Sequence, residues 1–119
     1  MGNIADGTAK AKIPELRWAI AARDGYVFTA PVGRFRPNAF GLYDTAGNAA
    51  EWVEDCWNPT YRGAPNDGSA WTSGDCSLRV LRGGSFADKA LAVRSSARFR
   101  YDEDVRYYAI GFRVARDLD

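Results

Sequence analysis

The clearest periodic pattern in the chain is an alternation of apolar and polar positions in its last third. Between residues 93 and 100, apolar or small side chains alternate with arginine and serine, and Ile110, Phe112 and Val114 alternate in the same way. A period of two is what a half-buried antiparallel strand requires. A third short strand is predicted over residues 79–82, where a glycine pair ends it.

The first half of the chain shows shorter and less regular patterns. Residues 14–22 predict two helical turns, because apolar side chains recur there four positions apart. Residues 26–30 and 32–35 predict two short extended segments. A glycine turn followed by a short helix is predicted over residues 45–54, with Asn48 as the N-cap and a glutamate three residues later completing a capping box.

Length and composition indicate one small globular domain over residues 1–119. The chain is 46% hydrophobic and 13% aromatic and contains 12 glycines, which favours a compact α+β fold with short strands, little helix and many turns. A net charge of +1 gives no reason to expect nucleic acid as a partner. No run approaches the roughly 18 apolar residues of a membrane span. The absence of histidine excludes histidine-ligated zinc and catalytic histidines in this chain.

Four sequence blocks, in a fixed order, carry a resemblance to a known family. They are NAFGLYD at 38–44, GNAAEW at 47–52, RVLRGGSF at 79–86 and IGFRVAR at 110–116. Together they resemble the C-terminal part of the formylglycine-generating enzyme, or sulfatase-modifying factor, family. The resemblance implies a loop-rich fold similar to that of C-type lectins, with small antiparallel sheets and bound calcium. The N-terminal half of the family's domain has no counterpart here, so we expect a partial domain.

The resemblance also implies two calcium sites. Each would combine side-chain oxygens with backbone carbonyls, the ligands that calcium accepts in a flexible shell. The first set is Asn3, Ile4, Asp24 and Tyr26. The second set is Asp44, Thr45, Gly47 and Ala49. Without the resemblance, Asp44 would be interpreted as the start of a turn and Asn48 as a helix cap.

Two cysteines, Cys56 and Cys76, flank a loop rich in glycine, proline and asparagine over residues 58–74. They suit a disulfide that closes this loop, although two free thiols or a functional thiol pair are also compatible with the spacing. The family's copper-binding pair follows the Gly-Gly-Ser block, and residues 86–93 of this chain contain no cysteine. A disulfide would favour a periplasmic or secreted protein over a cytoplasmic one.

Candidate ligand residues follow from the resemblance and from the arginines of the last third. Ser85 corresponds to a serine that borders the family's substrate groove, and Ala50 replaces a groove tryptophan, so we expect a wider and less aromatic pocket. The eight arginines between residues 79 and 116 predict a salt-bridged face. The alternative is a surface for a small anionic ligand or a partner protein. Its candidate residues are Arg98, Arg100, Tyr101 and Tyr107.

Three functions remain open at this point. The first is a non-catalytic, calcium-stabilised binding or structural domain, which exposed apolar surface would allow to form homo-oligomers. The second is an enzyme of the same superfamily with different chemistry, similar to the non-haem iron sulfoxide synthases, with metal ligands from another domain. The third is formylglycine generation, which the missing cysteine pair argues against.

Overall fold

A computed structural model describes residues 2–116 as one helix, one 3₁₀ turn and a single four-stranded sheet. The elements are α1 (Gly7–Lys12), β1 (Ala50–Trp57), β2 (Asp75–Arg82), the 3₁₀ turn (Ala90–Val93), β3 (Phe99–Asp102) and β4 (Ile110–Phe112). Spatially the strands run β3-β2-β1-β4. Within the described residues, no helix has the length and apolar character that crossing a bilayer demands.

β1 and β2 form the centre of the sheet. They pair antiparallel, with Trp52 opposite Leu81, and the register shifts around Cys56 where β1 bulges. Residues 58–74 connect the two strands, which confirms the predicted long loop. The predicted strand over residues 79–82 is also confirmed, although it starts earlier, at Asp75.

The predicted helix over residues 14–22 is wrong. The helix lies earlier, at Gly7–Lys12, where Asp6 caps it by accepting hydrogen bonds from the backbone amides of Thr8 and Ala9. Pro14 follows closely, and a proline disfavours helical conformation in the residue before it. The predicted extended segments over residues 26–30 and 32–35 form no strand in the described part of the chain.

The predicted helix over residues 45–54 is also wrong, because β1 begins at Ala50. Asn48 has a φ of 69°, whereas an N-cap residue needs extended backbone. The start of β1 pairs with β2 on one side and with β4 on the other. These contacts come from residues far away in the sequence, so local helix propensity was a poor guide.

The two predicted C-terminal strands are confirmed in existence but not in detail. Of the predicted strand over residues 93–100, only the last two residues are strand: β3 occupies Phe99–Asp102, Val93 ends the 3₁₀ turn, and residues 94–98 form no strand. β4 spans Ile110–Phe112 and runs parallel to β1, not antiparallel as the alternation suggested. The alternation of apolar and polar side chains indicates which face of a strand is buried, but it does not indicate the direction of the strand.

The apolar core is small and centres on Val80 and Leu81 of β2, which are 0% and 1% exposed. Other large apolar side chains lie open, including Val32 at 88% and Phe40 at 87% exposed. The radius of gyration of 15.1 Å exceeds the value of about 13.5 Å typical of a compact domain of this length. With so small a core, hydrogen bonds between loops and the disulfide hold the loops in place.

Candidate functional site

The structure brings the first predicted calcium set together. The backbone amide of Tyr26 donates to the Asp24 carboxylate at 2.8 Å, and the Ile4 amide faces the same carboxylate. Asn3 donates through Nδ2 to the carbonyl of Phe28 at 2.7 Å. The N-terminal segment and the loop around residue 24 are thus fastened to each other.

Two oxygens of this first set are buried without a hydrogen-bond partner, Oδ1 of Asn3 and Oδ2 of Asp24. Burial raises the pKa of Asp24 above its usual range; the Tyr26 amide lowers it, and the nearby Asp6 carboxylate raises it further. Buried acceptors are almost always satisfied in folded proteins. Calcium accepts an amide and a carboxylate oxygen in one shell, so these residues fit the ion.

The second predicted set contains a third such oxygen. Asp44 has a φ of 55° and accepts a hydrogen bond from the backbone amide of Gly33 at 2.7 Å through Oδ2, while its Oδ1 is buried without a partner. Thr45, Gly47 and Ala49 follow in the same loop and would contribute only carbonyls. Within the described residues no three His, Cys, Asp or Glu side chains cluster. A cation here would depend on carbonyl and amide oxygens, which suits calcium.

Asn48 joins the two loops that carry the predicted calcium sets. Its side chain accepts from the Ala30 backbone amide at 2.8 Å and from Asn3 Nδ2 at 3.2 Å, and it donates to the Ala30 carbonyl at 3.2 Å. Its own backbone amide donates to the carbonyl of Asn3 at 2.7 Å. The sequence suggested a helix cap, whereas the residue is a buried connector between three chain segments.

Ser85 is 3% exposed and forms a turn with Asp88. Its backbone amide and its hydroxyl both donate to Asp88 Oδ2, each at 2.8 Å. The turn occupies the position after the Gly-Gly-Ser block where the family places its cysteine pair. Asp88 was missed in the sequence; the only available signal was an acid three residues after a serine.

A pocket of about 400 Å³ opens beside this turn. Its floor includes Ala50 and Leu81, and Asp88 and Ser85 contribute polar groups. Five aromatic side chains form the walls: Trp18, Phe99, Tyr101, Tyr107 and Tyr108. The pocket therefore unites three predicted ligand residues and is strongly aromatic although Ala50 stands in place of a tryptophan.

Tyr107 and Tyr108 form a hydrogen-bonded pair at one side of this aromatic pocket. Their ring centroids lie 4.3 Å apart, and the Tyr107 hydroxyl donates to that of Tyr108 at 3.0 Å. This hydrogen bond raises the pKa of Tyr107, and partial desolvation adds to the effect. Because the Tyr107 hydroxyl donates within this pair, the Tyr108 hydroxyl is the one left to donate to a ligand.

Arg98 does not line the aromatic pocket with Ser85; it lies in a second pocket of about 480 Å³ next to Trp57 and Tyr61. Arg100 lies over the ring of Trp57, with its guanidinium carbon 4.5 Å from the ring centroid. The expected salt-bridged face is wrong for this region.

Only two arginines of the described chain form ion pairs. They are Arg79 with Glu103 and Arg113 with Glu51. The second pair raises the pKa of Arg113 through its hydrogen bond to Glu51. Neither pair includes Arg98, so this arginine has no ion-pair partner among the described residues.

Cys56 and Cys76 form a disulfide, as predicted. Asn58 reinforces the closure by donating to the carbonyl of Ser73 at 2.8 Å. The base of the loop is also held by Trp71, whose carbonyl accepts from the Cys56 amide at 2.8 Å. The disulfide fixes the end of β1, where Trp57 contacts Arg98 and Arg100.

Comparison with known proteins decides the family. The sulfatase-modifying factor enzyme 1-like domain matches residues 2–118 of the chain. The chain belongs to this family. The formylglycine-generating enzyme of Streptomyces coelicolor is 40% identical over 101 residues, covering 82% of this chain and 32% of that protein. A bovine relative named inactive C-alpha-formylglycine-generating enzyme 2 is 33% identical over 100 residues, covering 79% of this chain and 29% of its own length.

The fold of the family is shared as well. The structure of PvdO from Pseudomonas aeruginosa superposes with a TM-score of 0.71 at 49% identity, covering 77% of this chain and 35% of that one. The mixed, loop-rich sheet with little helix is therefore the fold of formylglycine-generating enzyme relatives. The chain spans about a third of the length of these relatives.

Proposed function

We propose that the chain is a non-catalytic, calcium-stabilised binding domain of the sulfatase-modifying factor family. The observation that carries the calcium part is the location of three orphaned buried oxygens. Oδ1 of Asn3, Oδ2 of Asp24 and Oδ1 of Asp44 lack hydrogen-bond partners, and each belongs to a residue expected to supply a side-chain ligand. A bound cation would satisfy them and offset the cost of burying the carboxylates.

The non-catalytic part rests on the chemistry present after the Gly-Gly-Ser block. Copper(I) oxidase chemistry needs soft thiolate ligands, and residues 86–93 supply none. Asp88 occupies this stretch and holds Ser85 in a turn instead. A relative that carries the word inactive in its name supports the existence of such members. The aromatic pocket beside the turn provides the binding site, and the disulfide favours an extracytoplasmic location.

Thermal melting with calcium or with a chelator tests the calcium proposal. At a calcium concentration about 100 times the dissociation constant, binding to the folded state alone stabilises by about 2.7 kcal/mol. For a domain of this size that corresponds to an increase in melting temperature of about 10 °C. Identical melting curves in both solutions would refute the proposal.

Two variants locate the effect. Asp24→Asn and Asp44→Asn each retain an oxygen but remove the charge, so each should reduce the calcium-dependent increase in melting temperature. In chelator, Asp24→Asn should melt no lower than the unmodified chain, because it removes a buried uncompensated charge. Asp104→Asn, at an exposed site, is the matched control and should retain the full calcium response.

The non-catalytic proposal is tested separately. A peptide containing Cys-x-Pro-x-Arg is incubated with the chain, copper and oxygen, and formylglycine is measured by mass spectrometry. We expect no turnover, and any enzyme-dependent formylglycine would contradict the proposal. The result is independent of calcium, so the two parts can fail separately.

A further inference from the structure

The guanidinium of Arg98 lies over two aromatic rings. Its guanidinium carbon is 4.0 Å from the ring centroid of Tyr61 and 5.1 Å from that of Trp57. Tyr61 is itself held in place, because its hydroxyl donates to the carbonyl of Ser96 at 3.0 Å. Stacking fixes the plane of a guanidinium while leaving its N–H groups at the edge free to donate.

Those N–H groups have no acceptor within the part of the chain that the structure describes. Neighbouring arginines differ in this respect: Arg82 donates to the carbonyl of Ser95 at 3.1 Å, and Arg94 donates to that of Leu91 at 2.8 Å. Arg98 is half-buried and forms neither a hydrogen bond nor an ion pair with the residues from 2 to 116. A rigid fork of donors without a partner is the arrangement that recognises an oxyanion.

The pocket around this fork is positively charged. Lys89, Arg94 and Arg98 all line it. Asp88 contributes the one carboxyl group among its lining residues, and Oδ2 of that group already accepts two hydrogen bonds from Ser85. The field inside the pocket therefore attracts anions.

Part of the remaining lining is apolar. Pro59, Leu91 and Ala92 contribute to the wall, and Leu91 is 61% exposed. Its volume of about 480 Å³ falls in the range of small-molecule sites. An inorganic anion would leave this apolar surface uncovered, whereas an organic anion would cover it.

We propose that this pocket, the Arg98 pocket, binds a small organic anion. A phosphate, sulfate or carboxylate group accepts hydrogen bonds from Arg98 and is attracted by Lys89 and Arg94. An apolar body lies against Leu91 and Pro59. The site adjoins the aromatic pocket beside Ser85, with which it shares Asp88 and Phe99, but it needs no calcium, so its failure and that of the calcium proposal are distinguishable.

Titration calorimetry and backbone amide NMR shifts on the full chain test the proposal. The probes are phenyl phosphate, phenyl sulfate and benzoate, which distinguish the three anionic groups, with inorganic phosphate and phenol as partial ligands. We expect at least one aromatic anion to bind more tightly than inorganic phosphate, with shifts in residues 57–61 and 89–99, and phenol not to bind. Absence of binding by all three aromatic anions at millimolar concentration would overturn the proposal.

Variants distinguish the stacked fork from general attraction to a basic surface. Arg98→Gln should weaken binding by about tenfold or more, as expected when a charge-assisted hydrogen bond is lost. Arg98→Lys keeps the charge but lacks the planar fork, so it should also weaken binding. Arg106→Gln, an exposed site outside the pocket, is the matched control and should bind normally.

Two further measurements distinguish a lost binding site from a misfolded variant. Lys89→Gln changes an exposed side chain that lines the pocket and should weaken binding without lowering the melting temperature. Circular dichroism establishes whether the Arg98 variants are folded. If Arg98→Lys binds as tightly as the unmodified chain, or if Arg106→Gln loses as much affinity as Arg98→Gln, the specific pocket is refuted.

Discussion

Replacing Asn48 by alanine should be among the most destabilising single substitutions in this chain. Asn48 is 7% exposed, and its side chain satisfies both the amide and the carbonyl of Ala30 while also accepting from Asn3. Asn48→Ala removes all three hydrogen bonds and leaves the Ala30 groups buried without partners. The three segments that meet at this residue would lose their common connection.

The magnitude follows from those groups. Each buried backbone group left unsatisfied costs about 2 kcal/mol, so the two groups of Ala30 account for about 4 kcal/mol. Asn3 loses less, because its Nδ2 still donates to the carbonyl of Phe28. The φ of 69° adds about 1 kcal/mol, since alanine tolerates left-handed backbone less well than asparagine. The total of about 5 kcal/mol is comparable to the whole stability of many domains.

Urea unfolding followed by tryptophan fluorescence measures this loss. Asn48→Gly lacks the same hydrogen bonds but relieves the backbone strain, so it should be about 1 kcal/mol more stable than Asn48→Ala. Asn66→Ala, in the exposed loop between β1 and β2, is the matched control and should change stability by less than about 0.5 kcal/mol. A loss below about 1 kcal/mol for Asn48→Ala would refute the reasoning.

Two other predictions concern the disulfide and the close approach of the segments around Asn3 and Gly47. Reducing the Cys56–Cys76 disulfide, whose partners are 20 residues apart, should lower stability by about 3 kcal/mol; the same urea midpoint with and without reductant would contradict this. Gly47→Ala should destabilise far more than Gly68→Ala in thermal melts. Both glycines have positive φ, but only at Gly47 would a Cβ overlap the carbonyl oxygen of Asn3; equal losses would show that backbone strain alone matters.

The elements that were predicted correctly depend on local sequence. The loop over residues 58–74 has the composition of a turn-rich connection, and its flanking cysteines form the expected bond. β2 ends at Arg82, just before the glycine pair. The first predicted calcium set rests on the family resemblance and stays a prediction, although the structure brings its segments together. Its residues come from two distant parts of the chain, so spacing alone could not have grouped them.

The elements that were wrong depend on distant partners. Residues 50–54 have the local appearance of a capped helix, but β2 and β4 flank the start of this segment and make it a strand. Asp6, not residue 14, determines where the one helix begins. Arg98 was expected to share a surface with Tyr101 and Tyr107, but it lies against Trp57 and Tyr61 in a different pocket.

The sequence by itself indicated the family, the absence of thiolates after the Gly-Gly-Ser block, the suitability of Cys56 and Cys76 for a disulfide, and which residues could supply calcium ligands. These are matters of residue chemistry, which does not change with the path of the chain. Only the tertiary structure decided which oxygens are buried without a partner and which arginine donors are free. Burial and hydrogen-bond satisfaction are properties of atoms brought together from distant positions. The parallel pairing of β4 with β1 has the same origin, because strand direction is set by the connection and not by the alternation of side chains.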